Sequence, residues 1–316
     1  MNEPVIMLDK LSKSFGEVEA VRSVSLSINA GTVFGFLGAN GAGKTTTIRM
    51  LCGLTHPTGG SAQIAGRDVW QDRHHARMQF GYVAQRFSLY PDLTVEENFR
   101  FFGGACRVPS SRLDREMARL LRLIDLEQKR TVPAGSLSGG MRQLLSLGCA
   151  LVHDPPLLFL DEPTSGLDPV HRHQIWSLLY DLSHSGKTIL VTTHYMDEAE
   201  RCTDVGFLQH GQLLAQASPR ELKASFRTRL LEIDVDPVMH ALVRLREVPE
   251  ILGVSLRSGA VRIYAREPEE LFERWQTNWP FLDLRLLDQR WVEPDMEDVF
   301  TAYSQGYEAV LKKSEG

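Results

Sequence analysis

Residues 32–46 read TVFGFLGANGAGKTT, and this stretch decides the fold. Residues 32–37 form an apolar run short enough for a buried strand, and 45–52, ahead of Gly53, carry helical spacing. Between them Gly38-Ala39-Asn40-Gly41-Ala42-Gly43-Lys44-Thr45 fits the pattern G-x-x-x-x-G-K-[ST], in the strand, loop, helix context its chemistry needs. Glycines let backbone N–H groups curl round phosphates, and the helix N-terminus adds partial positive charge. Lys44 can then reach the β and γ oxygens, while Thr45 presents a hydroxyl to Mg²⁺.

Two further apolar runs extend the reading. Residues 157–160 end in Asp161 and Glu162, and 188–193 end in His194. Polar groups at the carboxyl ends of strands mark where open α/β sheets keep their sites. Asp161 is the expected carboxylate for the Mg²⁺, and Glu162, pointing elsewhere, can take a proton from attacking water. Between Gln85 and Leu137 the pattern turns helical, opening at Thr94 with Glu97 three residues on. We expect a helical insert at about 86–145.

The rest of the composition sets bounds. A chain of 316 residues and 35.6 kDa is long enough for two domains. A net charge of −5 is too acidic for a protein that mainly grips nucleic acid. With 43% hydrophobic and 24% charged residues, disorder and collagen-like repeats are excluded. No apolar run approaches the ~20 residues that cross a bilayer. The start, MNEPVIMLDK, lacks the basic flank and apolar stretch of a secretory signal, so a cytoplasmic location is expected. Cys52, Cys106, Cys149 and Cys202 form no CxxC pair and read as reduced thiols.

Charge and tryptophan shift together near residue 225. Residues 1–225 carry 23 basic and 23 acidic side chains, whereas 226–316 carry 12 and 17 together with Trp275, Trp279 and Trp291. A second domain over 226–316 is expected. It reads as strand 229–235, helix 237–247, a hairpin of 252–257 and 260–265 turning at Ser258-Gly259, helix 268–278 and strand 283–288. That order is ferredoxin-like, a small α+β unit. Pro237 and Pro268 stand at helix starts, where a missing N–H costs nothing. A last helix from about Asp295 aligns Met296, Val299, Phe300 and Tyr303, a face suited equally to packing or to docking a partner.

The remaining motifs carry a resemblance. Ser136-Leu137-Ser138-Gly139-Gly140 resembles an LSGGQ signature, Gln85 a Q-loop, Ser165-Gly166-Leu167-Asp168 a D-loop and His194 a switch histidine. With the phosphate loop and the Asp161-Glu162 pair, these arrive in the order found in ATP-binding subunits of ABC transporters, which the chain resembles over residues 5 to about 220. The resemblance implies a P-loop cassette of the ABC type. It places Phe15 under the adenine ring and puts Gly38, Asn40, Gly41, Ala42, Gly43, Lys44, Thr45 and Thr46 round the phosphates of ATP. Thr45, Gln85 and Asp161 would serve Mg²⁺. Glu162, His194 and Gln85 would be catalytic, His194 holding the γ-phosphate and Gln85 sensing metal and water.

The resemblance also implies that one copy is not enough. Ser138, Gly139 and Gly140 would bind the γ-phosphate of ATP held by a second ATP-binding subunit, with Asp168 at the same interface, in a head-to-tail dimer. Met141 stands where the family has Gln, and Leu144 where Arg is common, leaving the contact to Ser138 and the backbone. The ending Glu293-Pro294-Asp295-Met296-Glu297-Asp298-Val299-Phe300 resembles drug-exporter-like subunits whose integral membrane permease is encoded separately. Such a protein is an ATPase, peripheral on the cytoplasmic face of the membrane, with no nucleic acid partner. A soluble ABC ATPase of translation or DNA repair stays as the rival, although this chain has neither a second cassette nor a coiled-coil interruption. A regulator without turnover is opposed by the presence of Lys44, Asp161, Glu162 and His194. The other histidines, including the 74–75 and 171/173 pairs, read as surface residues for want of a metal-ligand partner.

Overall fold

The computed structural model describes residues 4–311, apart from 87, 228 and 282 and the side chain of Glu308. The strands are β1 (Pro4–Phe15), β2 (Val18–Asn29), β3 (Val33–Leu37), β4 (Gly59–Ile64), β5 (Arg67–Asp68), β6 (Phe80–Val83), β7 (Leu157–Asp161), β8 (Thr188–Thr193), β9 (Asp204–Gln209), β10 (Gln212–Ala217), β11 (Leu230–Asp236), β12 (Ile251–Arg257), β13 (Ala260–Ala265) and β14 (Arg285–Val292). The helices are α1 (Lys44–Leu51), α2 (Arg73–Met78), α3 (Val95–Ala105), α4 (Ser110–Leu123), α5 (Gly139–Leu151), α6 (Pro169–His184), α7 (Met196–Ala199), α8 (Pro219–Ala224), α9 (Val238–Leu245), α10 (Pro268–Thr277) and α11 (Met296–Gln305).

In the first unit, β3, β7 and β8 are buried along their whole lengths. That is why they read as continuous apolar runs, and they pair in parallel in a sheet ordered β10-β9-β3-β8-β7-β6. Register places Leu37 opposite Thr193 and Asp161 opposite Thr192. The phosphate loop, the acidic pair and His194 therefore leave neighbouring strands at one edge. A second sheet, β2-β1-β4-β5, is antiparallel and shares a core with α1 and the parallel sheet, from Ile6 and Leu26 through Ile48 and Leu51 to Phe34 and Phe159. The expected helical insert holds α3, α4 and the start of α5. Thr94 and Glu97 form the capping box that opens α3. Cys52, Cys149 and Cys202 are buried free thiols, and Cys106 is half-buried.

Contacts divide the chain at Gln216/Ala217. This lies ahead of the composition shift near 225, because α8 packs on α11 and Phe226 pairs with Leu311. The second unit is an antiparallel sheet ordered β12-β13-β11-β14 in a βαββαβ chain order, the split arrangement of ferredoxin-like folds. Ser258 and Gly259 both take positive φ, 46° and 93°, as a tight hairpin turn needs. One sheet face, with Ile233, Val261 and Ile263, packs with α9 and α10. The other carries Glu232, Arg262 and Tyr264 toward α11.

Arg262 donates to Glu232 (2.8 Å), Asp295 (2.7 Å) and Asp298, and Tyr264 donates to Asp298 at 2.7 Å. Asp295 also caps α11. Met296 and Val299 are buried and Phe300 and Tyr303 half-buried, so of the two roles left open for this face the structure shows packing. The last strand differs from the 283–288 expected: it runs to Val292, because β11 pairs with it from Asp236↔Arg285 to Leu230↔Val292. Arg290 on that strand reaches Glu232 at 2.6 Å, which accommodates the charges that interrupt its apolar pattern.

Candidate active site

The loop after β3 turns through Gly41 (φ 81°) and Gly43 (φ 105°), conformations that side chains other than glycine rarely adopt. At Gly43 a Cβ would also lie 2.6 Å from Ala20 O, whereas at Gly41 nothing lies within 4 Å. Gly43 is thus fixed by packing and Gly41 by the turn, with open space on its outer side. Gly43 caps α1 without a side chain, and the first turn of α1 holds no acid. Its amides and partial positive charge therefore face the cavity unneutralised.

Lys44 is buried, and its Nζ donates to Gly38 O (2.6 Å) and Ala39 O (3.1 Å). It stands 3.5 Å from Glu162 Oε1. Burial lowers its pKa, opposed by the Glu162 charge. Asp161 Oδ1 accepts from Thr45 Oγ1 (3.0 Å) and Thr192 Oγ1 (2.8 Å). Burial pushes this carboxyl above its ordinary range even against those hydrogen bonds. The available donors, a hydroxyl, a carboxylate and the amide of Gln85, are hard oxygens that suit Mg²⁺. Among the described residues no group of three His, Cys, Asp or Glu could hold a metal, so any Mg²⁺ here relies on phosphate oxygens and water as well.

Glu162 follows with φ 47°, an uncommon and costly conformation for this residue type. Its N–H donates to Thr192 Oγ1 at 2.9 Å, so one threonine hydroxyl orients both acids. Gln85 Nε2 donates to Glu162 Oε2 (3.0 Å), and His194 Nδ1 lies 3.4 Å from the same oxygen without a hydrogen bond. The two acids thus face different partners, as the sequence led us to expect.

Phe15, Asn40, Gly41, Ala42, Gly43, Lys44, Thr45, Thr46, Gln85 and Glu162 line one cavity of about 620 Å³. Asp161 joins it through Thr45, Gly38 through its carbonyl and His194 beside Glu162. Phe15 is 53% exposed, with Lys13 Nζ 5.0 Å from its ring centre.

Ser138, Gly139, Gly140 and Asp168 are not among the residues lining that cavity. Ser138 caps α5, its hydroxyl accepting from Met141 N at 3.2 Å, and both Ser138 and Gly139 are exposed. Asp168 caps α6, accepting from the amides of Val170 and His171. His171 departs from the surface reading, since its ring is bonded to Asp168 and covers Gly140. His153, half-buried, departs from it too.

Sequence reasoning missed Glu198. It is fully buried, and its two carboxylate oxygens accept from Thr164 Oγ1 (2.5 Å) and Thr193 Oγ1 (2.6 Å). It thereby ties the turn after Glu162 to the residue before His194. The available signal was the pair Thr192-Thr193 ending the buried strand β8, with an acid about one helical turn beyond.

Residues 21–165 match the family described as ABC transporter. The Nod factor export ATP-binding protein I of Ralstonia nicotianae is 42% identical over 273 residues, covering 85% of this chain and 84% of that protein. The chain belongs to the ABC transporter ATP-binding family. This cassette binds and hydrolyses ATP. A probable multidrug ABC transporter ATP-binding protein of Escherichia coli is 42% identical over 222 residues, 70% of this chain but only 38% of that longer protein. Among solved structures, a dimeric post-hydrolysis state of an ATP-binding cassette bound to ADP and Pi aligns with a TM-score of 0.59 and 27% identity, over 67% of this chain and 98% of that one.

Proposed function

We propose that this cassette is the ATPase of an exporter: two copies pair head to tail with ATP and Mg²⁺ at the interface and drive a separately encoded membrane permease. One observation carries the reading. The phosphate loop and Glu162 line one cavity, with Asp161 bonded to it through Thr45, while the exposed signature turn at Ser138 and Gly139 lies outside it, where it can serve the site of a second subunit. The similar dimeric cassette holding ADP and Pi supports this. The export named for the Nod factor relative supports the direction of transport.

In this reading the amides of 40–46 and Lys44 hold the β and γ phosphates, and Phe15 stacks on the base. Mg²⁺, when bound, neutralises phosphate charge; Thr45, Asp161 and Gln85 would hold it. Glu162, kept apart from Asp161 by its left-handed backbone, takes the proton from water. Gln85 orients that carboxylate, and Glu198 keeps Glu162 and His194 at a fixed separation. The γ-phosphate of each ATP is contacted by the opposite Ser138 and its helix N-terminus.

For the permease, the helical insert offers exposed Tyr90 and Phe101, packed edge to face at 4.6 Å. Large exposed aromatics of this kind suit a protein contact. No helix among the described residues is long and apolar enough to cross a membrane, so the membrane part would come from a partner. The unit from 217 onward is an accessory domain, and the whole would sit on the cytoplasmic face. Copurification from detergent-solubilised membranes tests this reading. An integral protein that raises ATP turnover on reconstitution is expected. Recovery with ribosomes or DNA instead would overturn it in favour of a soluble ATPase.

A further inference from the structure

His171 lies outside the phosphate cavity, yet it joins two segments assigned above to the subunit interface. Asp168 Oδ1 accepts from the amides of Val170 (3.0 Å) and His171 (3.1 Å), which suffices to cap α6. Its second oxygen is 2.5 Å from His171 Nδ1. An ionised carboxylate only accepts, so Nδ1 carries the proton and donates. Asp168 is held below the usual carboxylate range by the His171 amide first and by the His171 ring second. The third bond fixes how the ring is turned.

So turned, the ring covers Gly140. A Cβ on Gly140 would fall 2.0 Å from His171 Cδ2 and 2.7 Å from Nε2. Gly140 has no positive φ, so its backbone does not demand glycine; the ring does. Gly139 beside it meets nothing closer than Leu167 Cδ2 at 3.9 Å, and that leucine is the neighbour of Asp168. The signature turn and the loop 165–168 therefore meet at an imidazole that is 26% exposed, with Leu167 beside it.

We propose that His171 is a positioning residue: bonded to Asp168 and packed on Gly140, it makes the signature turn and the loop 165–168 of one subunit a single rigid piece. The proposal rests on the shared-site reading above. Without the ring, each segment would have to be ordered separately when the subunits close, and the cost would appear in pairing, not in nucleotide binding by the monomer.

The test uses the full chain carrying Glu162→Gln, with ATP and Mg²⁺, followed by sedimentation. His171→Ala should raise the ATP concentration for half-maximal pairing about tenfold, the effect of losing one hydrogen bond to a charged group. ADP affinity, which the monomer expresses, should not change. His171→Asn returns a donor near Nδ1 and should recover most of the loss, which a merely structural role would not require. Gly140→Ala should impair pairing strongly, and less than additively when combined with His171→Ala, because the ring it strikes is gone. Pairing of His171→Ala at the parental ATP concentration, or strict additivity with Gly140→Ala, overturns the proposal. Ser138→Arg separates the two levels. If Ser138→Arg abolishes pairing while His171→Ala leaves it untouched, only the role of His171 fails; if Ser138→Arg also pairs, the shared-site reading fails.

Discussion

Glu162→Gln is the sharpest perturbation the site offers. Glu162 is 8% exposed, and its carboxylate oxygens face Gln85 Nε2 at 3.0 Å and Lys44 Nζ at 3.5 Å. An amide of the same size keeps an oxygen for Gln85 and leaves the left-handed backbone and its tie to Thr192 unchanged. What disappears is the proton acceptor, worth roughly 10²- to 10⁴-fold in rate. At ~1.36 kcal/mol per decade this raises the barrier by about 2.7–5.4 kcal/mol. Nucleotide affinity should not fall with it. Glu162 competes with phosphate for Lys44, and its removal frees the ammonium for the ligand. Phosphate release should therefore drop by the stated factor while ATP binding holds. The variant should sediment as a dimer with ATP and Mg²⁺ and as a monomer with ADP. Turnover close to the parent's would remove Glu162 as the base. A variant that stays monomeric with ATP, alone and with its permease, would refute the shared site.

Asp161→Asn should stop turnover yet stabilise the ligand-free cassette by ~1 kcal/mol, about 2–4 °C in Tm for a domain of this size, since the amide keeps both threonine bonds without a buried charge. Because the native carboxyl titrates above its unfolded value of 3.8, stability present at lower pH is lost as pH rises through the raised native value. The Tm gain should accordingly be full above that raised value, shrink as pH falls through it and vanish below 3.8; a Tm loss at neutral pH would contradict the account. Arg262→Met should destabilise the second unit by up to about 3–5 kcal/mol, since it removes the cation hydrogen-bonded to buried Asp298 and leaves only Arg257, 3.5 Å from the other oxygen, to face that charge. Denaturation should show this with ATP binding intact, and an unchanged unfolding midpoint would mean that the cluster contributes nothing. Ending the chain after Ala217 should leave a folded unit that binds ATP; a circular dichroism spectrum of an unfolded chain would disprove independent folding.

The parts legible in the sequence were those in which one local rule dominates. Buried parallel strands are apolar throughout, so 157–160 and 188–193 were found nearly to the residue. The phosphate loop has glycine demands that few other turns impose. The antiparallel sheet of β1 and β2 was missed although residues 24–28 alternate cleanly, because register shifts at Leu8/Leu11 and Leu11/Lys13 break the alternation of the partner strand β1. Charges at 288–290 hid the end of β14, because those side chains lie on a sheet face whose opposing charge, Glu232, comes from a strand more than fifty residues earlier. Glu198 and His171 went unread for a related reason. Their roles depend on Thr164, a carboxylate and a glycine that only the folded chain brings near; the threonines before Glu198 are a faint local signal, and nothing nearby in sequence separates His171 from a surface imidazole.

Phe15 has one more consequence. A base stacked on it, as proposed, meets a ring face and the aliphatic neighbours Val18 and Ala20 of the cavity wall. Stacking is blind to the hydrogen-bonding edge, since every base presents a π-face. The directed bonding of the loop amides and Lys44 points at phosphate, and no contact assigns the other polar side chains of the wall, Glu19, Arg22 and His210, to a base edge. The cassette should therefore weigh its fuel by the triphosphate and not by the letter, with GTP competing for the site nearly as well as ATP. Preference for adenine in the cell would then come from abundance alone.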